Sequence, residues 1–346
     1  MFCGGGSGGH VLPNAALAQL LKGKADIHYL AGGSIEGELL KDYPFITLHS
    51  YSPPKFKRQF ALSNLALPFE FARARKRAEE ILKEVKPDVL FSKGGYASLP
   101  AVLAAHKLGI KCAGHESDSS LGLAHRLCLN KYERLFTAYP LKLKTKTPVI
   151  QSGALLRQSI YKGNEKKGLE TMRFDKSRPI LLAMGGSLGA LSLNKKVYAA
   201  LNLITPRFDV FMICGKGKQG EFEQSGRFHR AEYVKNIADL YACCDICVTR
   251  GGANALAELA ALKIPFFAVP LARASRKEQN ANAAYYVGKK AALSIEEDKL
   301  TPQCLSNKVF ELYDNREYYK KALSAVKTDG TKEVARYLLS LMQGGK

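Results

Sequence analysis

Residues 180–190 read ILLAMGGSLGA, an apolar run that passes directly into a glycine-rich turn. The run Ile180–Met184 has the length and composition of a strand buried on both faces, and residues 191–203 after the turn have those of a helix. Later apolar runs continue the pattern at residues 210–214, 246–249 and 266–269, with a helix predicted over 254–262. The second half of the chain is therefore predicted to be an α/β domain around a parallel sheet.

The first half begins with the same order of elements. Residues 1–3 form a short apolar run, residues 4–9 a glycine turn and residues 13–21 a helix. Further strands are predicted over 27–31, 89–91 and 110–113, with a helix after 98 in which Ser98 is the N-cap. Because a strand, a glycine turn and a helix open both halves, the predicted fold class is α/β, with two Rossmann-like domains facing each other across a deep cleft.

The domain boundary is expected near residue 157. Residues 162–178 are polar and charged without a strand pattern, which is typical of a connector. The predicted domains are residues 1–157 and residues 158–327. A last helix, at about 328–346, carries Leu338, Leu339 and Met342 and is expected to pack back on the first domain.

Composition narrows the class of protein. The chain has 346 residues, of which 46% are hydrophobic and 24% charged, so disorder along the whole chain is excluded. No apolar run approaches the roughly 20 residues that span a bilayer, and no signal peptide is recognised, so a cytosolic or cytosol-facing location is expected. The formal net charge of +21 favours anionic partners, namely nucleic acid, phosphorylated metabolites or an anionic membrane.

The eight cysteines show no paired spacing. Cys243, Cys244 and Cys247 are close in sequence, but Cys247 lies in an apolar run and no histidine flanks the group. These side chains are predicted to be reduced thiols in the core, and no metal site is predicted.

The first glycine turn matches the pattern G-x-G-x-x-G. A dinucleotide site would also need an acidic residue at the end of the second strand, where residues 29–33 read YLAGG. The turn is therefore interpreted as an anion cradle, in which backbone amides and a helix N-terminus face a phosphate. His10 follows at its mouth, either as a functional group or as a cap of the helix.

The second half offers two more turns of this kind. In residues 185–190, Ser187 could give a hydroxyl and an amide to a phosphate. The turn at residues 250–253 opens the helix that carries Glu258, which could accept the hydroxyls of a ribose or favour the positive end of its helix. Residues 275–282 are predicted to be a polar loop whose amides could bind sugar hydroxyls, or simply an exposed loop.

Two further segments draw attention. His115, Glu116, Ser117 and Asp118 follow the end of a predicted strand, where an imidazole or carboxylate could take a proton from a hydroxyl. Before Pro68, basic and apolar residues mix without helical periodicity, which is typical of a membrane-surface contact and also compatible with a buried loop. The membrane contact is predicted at Phe56, Lys57, Arg58, Phe60, Leu62 and Leu65.

Together and in this order, the motifs resemble the MurG-type peptidoglycan glycosyltransferases of glycosyltransferase family 28. This family has the GT-B fold and moves N-acetylglucosamine (GlcNAc) from UDP-GlcNAc to the undecaprenyl-diphosphate-linked muramoyl pentapeptide called lipid I, which gives lipid II. The resemblance covers essentially the whole chain. It rests on GGGSGGH at 4–10, GGY at 94–96, HE at 115–116, GGSLGA at 185–190, RGGA at 250–253 with Glu258, and Gln279 with Asn282.

The resemblance implies a role for each position. The first domain would bind lipid I and the membrane, with His10 as general base and Glu116 as its support or as the base itself. The second domain would bind UDP-GlcNAc. The acceptor diphosphate is expected at Ser7, Gly8, Gly9, His10, Gly94, Gly95 and Tyr96, and the donor at Arg157, Ser187, Val234, Ala253, Glu258, Gln279 and Asn282.

The implied reaction is an inverting displacement without a metal or other cofactor. The expected partners are UDP-GlcNAc, lipid I, an anionic membrane surface and other cell-wall synthesis proteins, with no nucleic acid. The expected location is peripheral, on the cytoplasmic face of the bacterial inner membrane. The alternatives are a GT-B enzyme acting on diacylglycerol, an NAD-dependent oxidoreductase, a nucleic-acid-binding module and a non-catalytic UDP-sugar sensor.

Overall fold

The computed structural model describes residues 1–54, 67–186, 189–271 and 277–343, with Lys277 described by its backbone alone. The chain forms two compact units. Unit 1 comprises Met1–Arg157 with Asp329–Lys346, and unit 2 comprises Gln158–Thr328.

Unit 1 is built on a seven-stranded parallel sheet in the order β3-β2-β1-β4-β5-β6-β7. All pairings are parallel, and β1 lies between β2 and β4. The central strands are buried on both faces, as their continuous apolar runs require. The strands are β1 Phe2–Cys3, β2 Ile27–Ala31, β3 Ile46–Ser50, β4 Val89–Ser92, β5 Lys111–Glu116, β6 Arg134–Thr137 and β7 Val149–Gln151.

Helices cover both faces of this sheet. The last of them, α14, packs against α1 and places Val334 and Leu338 in the same core as Phe2 and Leu17. The helices of unit 1 are α1 Gly8–Leu21, α2 Ser34–Leu40, α3 Leu67–Val85, α4 Leu99–Lys107, α5 Leu123–Cys128 and, after unit 2, α14 Thr331–Gln343.

The return of the chain to unit 1 is held by polar contacts. Ala154 pairs with Asp329 in a short parallel bridge. The Thr331 hydroxyl donates to the carbonyl of Leu156 at 3.1 Å and accepts from its amide at 2.7 Å. These bonds fix the start of α14 beside the last residues of the first segment of unit 1.

Unit 2 is built on a six-stranded parallel sheet in the order β10-β9-β8-β11-β12-β13. Strand β8 lies between β9 and β11, as β1 lies between β2 and β4 in unit 1. The strands are β8 Ile180–Met184, β9 Asp209–Ile213, β10 Phe228–Ala231, β11 Ile246–Thr249, β12 Phe266–Ala268 and β13 Leu293–Ser294. The helices are α6 Glu165–Met172, α7 Leu191–Ala199, α8 Leu201–Ile204, α9 Ile237–Cys243, α10 Ala253–Ala261, α11 Lys277–Gly288, α12 Pro302–Asp314 and α13 Arg316–Ser324.

Several predicted elements were wrong in detail. The segment 162–178 is not a plain connector, because it contains α6, whose N-cap Asn164 accepts from the Lys167 amide. Helix α1 begins at Gly8 rather than at Pro13, and β5 continues through Glu116. Ser98 is the N-cap residue of α4, as predicted, but its hydroxyl donates to the Gly94 carbonyl and does not accept from the helix.

The sheet order decides where ligands can bind. In an open parallel sheet, the crevice lies at the carboxyl ends of the strands, where the chain leaves a central strand towards opposite sides. That point is the end of β1 in unit 1 and the end of β8 in unit 2. Both predicted glycine turns follow these strands. Among the helices within the described residues, none is long and apolar enough to cross a lipid bilayer.

Candidate active site

A cavity of about 540 Å³ lies in unit 1 at the carboxyl ends of the central strands. Its polar lining residues lie mostly at or after the ends of β4 and β5, with His10 from α1 and His125 from α5. Its apolar lining residues form the apolar wall and come from α3, α4 and α5 together with Pro54. The polar wall and turns contribute His10, Lys93, Gly94, Gly95, Tyr96, Glu116, Asp118, Gly122 and His125, and the apolar wall Pro54, Leu67, Pro68, Phe71, Leu99, Leu123 and Ala124.

The two glycine turns of unit 1 pack directly against each other. A β-carbon on Gly6 would lie 2.4 Å from Cε1 of Tyr96, and one on Gly95 would lie 2.9 Å from the carbonyl oxygen of Gly5. Both glycines also have positive φ angles, +84° for Gly6 and +80° for Gly95. The contact between the turns therefore requires glycine on both sides. Of the predicted acceptor residues, His10, Gly94, Gly95 and Tyr96 line this cavity, and Ser7, Gly8 and Gly9 precede His10 without being part of its lining.

His10 lies where these turns meet. Its Nδ1 is 2.9 Å from the Ser7 hydroxyl, and the β-carbon position of Gly95 is 3.3 Å from the ring. Burial, followed by the charge of Lys93, lowers the pKa of His10 to about 4. The imidazole is therefore neutral near pH 7 and can accept a proton. Ser7, which precedes the first residue of α1, makes no side-chain cap and contacts the histidine instead.

Glu116 faces the same cavity from the end of β5. Its carboxylate accepts the backbone amides of Asp118 at 3.1 Å and Gly122 at 2.8 Å. Each oxygen is thereby engaged in holding residues 117–122 in a closed loop beside the cavity. His115, the other polar residue of this strand end, is fully buried and its Nε2 contacts the Gly153 carbonyl at 2.9 Å.

Sequence reasoning missed two charged residues at this site. Glu36, in the first turn of α2, is fully buried and its Oε1 accepts the Gly6 amide at 3.0 Å, across 30 residues. It was missed because an acidic residue was expected at the end of the second strand, no later than Gly33. Glu36 lies in the helix that follows, and its carboxylate extends back to the Gly6 amide. Lys93 is 2% exposed, although it appears in the sequence only as the residue before Gly94.

In unit 2, the turn after β8 is shaped by close backbone contacts. A β-carbon on Gly185 would lie 2.3 Å from the Ala190 nitrogen, and one on Gly189 would lie 2.2 Å from the Cys214 carbonyl oxygen. The Asn194 amide donates to that same carbonyl at 2.9 Å. The turn therefore cannot carry side chains at these two glycines. Ser187, the predicted diphosphate ligand, lies outside the described residues.

Glu258 is partly exposed on α10, where its carboxylate is oriented by a buried tyrosine. The Tyr241 hydroxyl donates to Oε2 of Glu258 at 3.1 Å. Burial, followed by the negative charge of Glu258, raises the pKa of Tyr241 well above its ordinary value, so the phenol remains a donor. Tyr241 was missed because no sequence spacing connects α9 to α10.

Gln279 and Asn282 lie on α11, so the polar loop predicted over 275–282 is helical from Lys277 onwards. Asn282 is 1% exposed, and its amide donates to the Gly251 carbonyl at 3.1 Å. The Gln279 side chain accepts the Leu271 amide at 3.4 Å. Both residues therefore tie α11 to neighbouring strand ends. Ala253 is the first residue of α10.

Arg250 connects three further parts of unit 2. Its guanidinium donates to the Val269 carbonyl at 3.0 Å, to the Ser192 hydroxyl at 2.9 Å and to Glu297 at 2.7 Å. The ion pair with Glu297 is buried, and the three contacts together join the end of β11 to the end of β12, the start of α7 and the segment after β13. The sequence marked Arg250 only as part of a turn.

The remaining predicted positions are scattered or undescribed. Val234 is partly exposed in the loop after β10, beside the exposed Tyr233, and Arg157 is partly exposed at the last residue of the first segment of unit 1. The predicted membrane residues Phe56, Lys57, Arg58, Phe60, Leu62 and Leu65 lie outside the described residues.

Seven of the eight cysteines are buried free thiols, as predicted, and Cys304 is a free thiol that is only partly buried. Cys243, Cys244 and Cys247 are buried and unbridged, and burial raises the pKa of each thiol. Within the described ranges, no group of three His, Cys, Asp or Glu side chains is arranged to hold a metal ion.

Two parallel sheets, each with a glycine turn at its switch point, are the architecture of the GT-B class of glycosyltransferases. Comparison with known proteins places the chain further. The model of the glycosyltransferase family 28 N-terminal domain matches residues 1–137, and that of the C-terminal domain matches residues 180–338. The chain belongs to glycosyltransferase family 28. Both the family and the GT-B fold predicted from the sequence are confirmed.

Curated relatives carry the name UDP-N-acetylglucosamine–N-acetylmuramyl-(pentapeptide) pyrophosphoryl-undecaprenol N-acetylglucosamine transferase. One from Lachnoclostridium phytofermentans is 37% identical over 332 residues, 93% of each chain. Another, from Geobacillus thermodenitrificans, is 34% identical over 354 residues, 99% of this chain and 98% of the relative.

Solved structures agree on the fold. The crystal structure of Acinetobacter baumannii MurG matches with a TM-score of 0.77 at 23% identity over 99% of both chains. A UDP-glucose:anthocyanidin 3-O-glucosyltransferase in complex with UDP matches with a TM-score of 0.71 at 11% identity, over 99% of this chain and 98% of that one.

Proposed function

We propose that the protein transfers GlcNAc from UDP-GlcNAc to the 4-hydroxyl of the muramoyl sugar of lipid I, which gives lipid II and UDP. The observation that carries this proposal is the cavity of unit 1, where a neutral histidine lies between two interlocked glycine turns. The names of the curated relatives, at 34–37% identity over nearly the whole chain, support the same substrates.

Unit 1 is proposed to bind the acceptor. The start of α1 directs its positive end towards Ser7, Gly8 and Gly9, which suits one phosphate of the diphosphate, and Gly94, Gly95 and Tyr96 border the same space. The Gly6 amide is excluded from this role because Glu36 occupies it. The apolar wall of the cavity suits the first isoprene units next to the diphosphate.

His10 is proposed as the general base. With Nδ1 beside the Ser7 hydroxyl, Nε2 is the nitrogen that takes the proton from the muramoyl 4-hydroxyl. Because both oxygens of Glu116 accept loop amides, we assign Glu116 to holding the 117–122 loop rather than to removing the proton.

Unit 2 is proposed to bind the donor. Ser187 and its turn would contact the diphosphate of UDP together with Arg157, and Glu258 would accept the ribose hydroxyls. Val234 and Ala253 would lie at the uracil, and Gln279 at the GlcNAc hydroxyls. Asn282 is assigned a supporting role through the Gly251 carbonyl, because its side chain is buried.

The reaction is then a single displacement with inversion. The muramoyl oxygen forms a bond to the anomeric carbon as the bond from that carbon to the UDP oxygen breaks, and the proton of the hydroxyl passes to His10. The negative charge that develops on UDP is stabilised by backbone amides, a helix N-terminus and Arg157. No step requires a redox cofactor, and independence from a divalent metal stays a prediction.

A peripheral membrane location completes the proposal. Phe69 is 80% exposed and Leu123 67% exposed, on the helices that form the apolar wall of the cavity. Together with the basic and apolar segment from Phe56 to Leu65, they would contact an anionic membrane on its cytoplasmic face. Contact with other cell-wall synthesis proteins stays a prediction.

The direct test is the release of UDP from UDP-GlcNAc with and without lipid I, beside UDP-glucose and UDP-galactose as donors. Release that depends on both UDP-GlcNAc and lipid I is expected. Equal release with diacylglycerol, or release that does not depend on any acceptor, would contradict the proposed acceptor.

A matched pair of variants at Gly8 tests whether the glycine turn at residues 4–9 binds an anion. A β-carbon on Gly8 meets only side-chain carbons at 3.8 Å, so Gly8→Asn and Gly8→Asp both fit. Only Gly8→Asp places a negative charge at the start of α1, so it should lose transfer to lipid I while Gly8→Asn retains much of it. Equal activity of the two variants would show that no anion binds there.

A further inference from the structure

We propose that the ammonium group of Lys93 binds the diphosphate of the acceptor and is the charged ligand of that group in unit 1. This inference rests on the proposed function, because it assumes that a lipid-linked diphosphate occupies the cavity. It adds a binding residue that the glycine turns alone do not provide.

The position of Lys93 is fixed by the sheet. It follows the last residue of β4, its backbone amide donates to the Cys3 carbonyl at 2.9 Å, and the glycine turn begins at the next residue. Its side chain lines the cavity together with His10 and Glu116. The ammonium therefore lies at the end of β5, beside the His115 carbonyl and Ser117, and its charge acts on His10 in the same cavity.

The partners of the ammonium are both neutral. It donates to the His115 carbonyl at 3.3 Å and to the Ser117 hydroxyl at 2.5 Å. Within the part of the chain that the structure describes, no carboxylate lies at hydrogen-bonding distance from Nζ. Glu116 and Asp118 favour its charge only through space, and the Glu116 oxygens are engaged by backbone amides.

A buried cation without a bonded counter-ion is unfavourable, because its lost hydration is only partly replaced by a carbonyl and a hydroxyl. Burial accordingly lowers the pKa of Lys93 to about 8. An ammonium has three N–H donors, and among the described residues two of them have acceptors. A phosphate oxygen would supply both the missing acceptor and the missing negative charge.

A purely structural role is the competing explanation. In that case Lys93 would only hold the loop at Ser117 by its hydrogen bond. The two roles differ in what removal of the Ser117 hydroxyl does. Ser117→Ala keeps the ammonium and should leave acceptor binding nearly unchanged if Lys93 is a ligand, whereas it should resemble loss of the lysine if the loop contact is what matters.

The experiment measures the KM for lipid I and the KM for UDP-GlcNAc in the full chain with Lys93→Met, which keeps the length of the side chain. The KM for lipid I should rise roughly 10- to 100-fold, as expected for loss of a charged hydrogen bond, with the KM for UDP-GlcNAc within about twofold. Lys107→Met is the control, because Lys107 pairs with Glu79 at the surface of α4. It should behave as wild type.

Measuring the KM for lipid I over a range of pH distinguishes the effect of the charge of Lys93 from the effect of the shape of its side chain. As pH rises through about 8, Lys93 loses its proton and the wild-type KM for lipid I should rise, while that of Lys93→Met should stay flat. The groups facing Lys93 do not produce this change. The carboxylates of Glu116 and Asp118 act on Lys93 by favouring its charged form. Burial, followed by the charge of Lys93, lowers the pKa of His10 to about 4 and that of His125 to about 3, so neither histidine changes charge near pH 8.

The possible outcomes distinguish a failure of the proposed function from a failure of the proposed role of Lys93. If the wild-type protein does not transfer GlcNAc to lipid I, the proposed function fails. If the wild type is active but Lys93→Met has an unchanged KM for lipid I, or Ser117→Ala has the same defect as Lys93→Met, the role of Lys93 is overturned and the proposed function stands.

Discussion

The glycine turns after β1 and β8 both connect a central strand to a helix, but the groups that contact the two turns differ. The turn after β1 is bordered by ionisable side chains, with Glu36 on the Gly6 amide and His10 and Lys93 beside the cavity. The described part of the turn after β8 packs against backbone where Gly189 meets the Cys214 carbonyl, and its ionisable neighbour Lys218 is engaged with the carbonyl of Gly189 at 3.1 Å.

This difference favours proton transfer as the role of the turn in unit 1 and diphosphate binding as the role of the turn in unit 2. A proton can be accepted only where a titratable group faces the ligand, and among the described residues of the two turns that group is His10. The described part of the turn in unit 2 offers backbone amides and a helix start, which suit a diphosphate that is held and released. Under the proposed function, one supersecondary motif would serve chemistry in unit 1 and binding in unit 2.

The largest effect is expected from His10→Ala. Loss of a general base should lower kcat for transfer to lipid I by roughly 100- to 10,000-fold, with UDP binding to unit 2 unchanged by calorimetry. His106→Ala, at an exposed position of α4, is the control and should be unaffected. A loss below about threefold for His10→Ala would assign the proton to another group and remove the contrast between the turns.

A smaller effect is expected from Gly95→Ala, compared with Gly23→Ala. Both glycines have positive φ, +80° and +75°, so each substitution should cost about 1–2 kcal/mol of folding stability. Only at Gly95 would the new β-carbon press on the His10 ring and the Gly5 carbonyl, whereas at Gly23 nothing lies within 4 Å.

Displacement of His10 by the new methyl group should therefore lower kcat of Gly95→Ala on the order of 10-fold or more, with Gly23→Ala fully active. Thermal unfolding measures the loss of folding stability that both variants should share, and steady-state rates measure the difference in kcat between them. If both variants lose stability and neither loses activity, the packing of the two turns does not position the base.

The smallest effect is expected in unit 2, from Tyr241→Phe. Loss of the hydrogen bond to Glu258 should raise the KM for UDP-GlcNAc roughly 2- to 10-fold with little change in kcat. The preference for UDP over 2′-deoxy-UDP in competition should narrow. Tyr319→Phe, another buried tyrosine of unit 2, is the control. If the wild-type protein does not prefer UDP over 2′-deoxy-UDP, Glu258 does not bind the ribose. If the wild type shows this preference and Tyr241→Phe shows it to the same degree, Tyr241 does not orient Glu258.

The sequence predicted the fold well because the parallel strands are buried on both faces and appear as uninterrupted apolar runs. Strands such as Ile180–Met184 and Ile246–Thr249 are found at the predicted residues. Helix α6 was missed because it is short and half of its eight residues are charged, so its few apolar residues gave no clear period.

The site was only partly predictable. Glycine turns are visible in sequence because their backbone angles and close contacts exclude other residues. The side chains that complete the site come from elsewhere in the chain, as Glu36 reaches Gly6 and Tyr241 reaches Glu258. Such contacts are set by the packing of one helix on another, which no local spacing encodes.

The return of α14 to unit 1 has a consequence for the order of folding during synthesis. The core that contains Phe2 and Leu17 is completed by Val334 and Leu338, and the bridge from Ala154 to Asp329 closes only once the chain has passed through all of unit 2. On the ribosome, unit 2 can therefore reach its native state while the earlier-made segment still exposes an apolar surface. We expect that segment to depend most on chaperones, and nascent chains halted before residue 329 to be selectively sensitive to protease within residues 1–157.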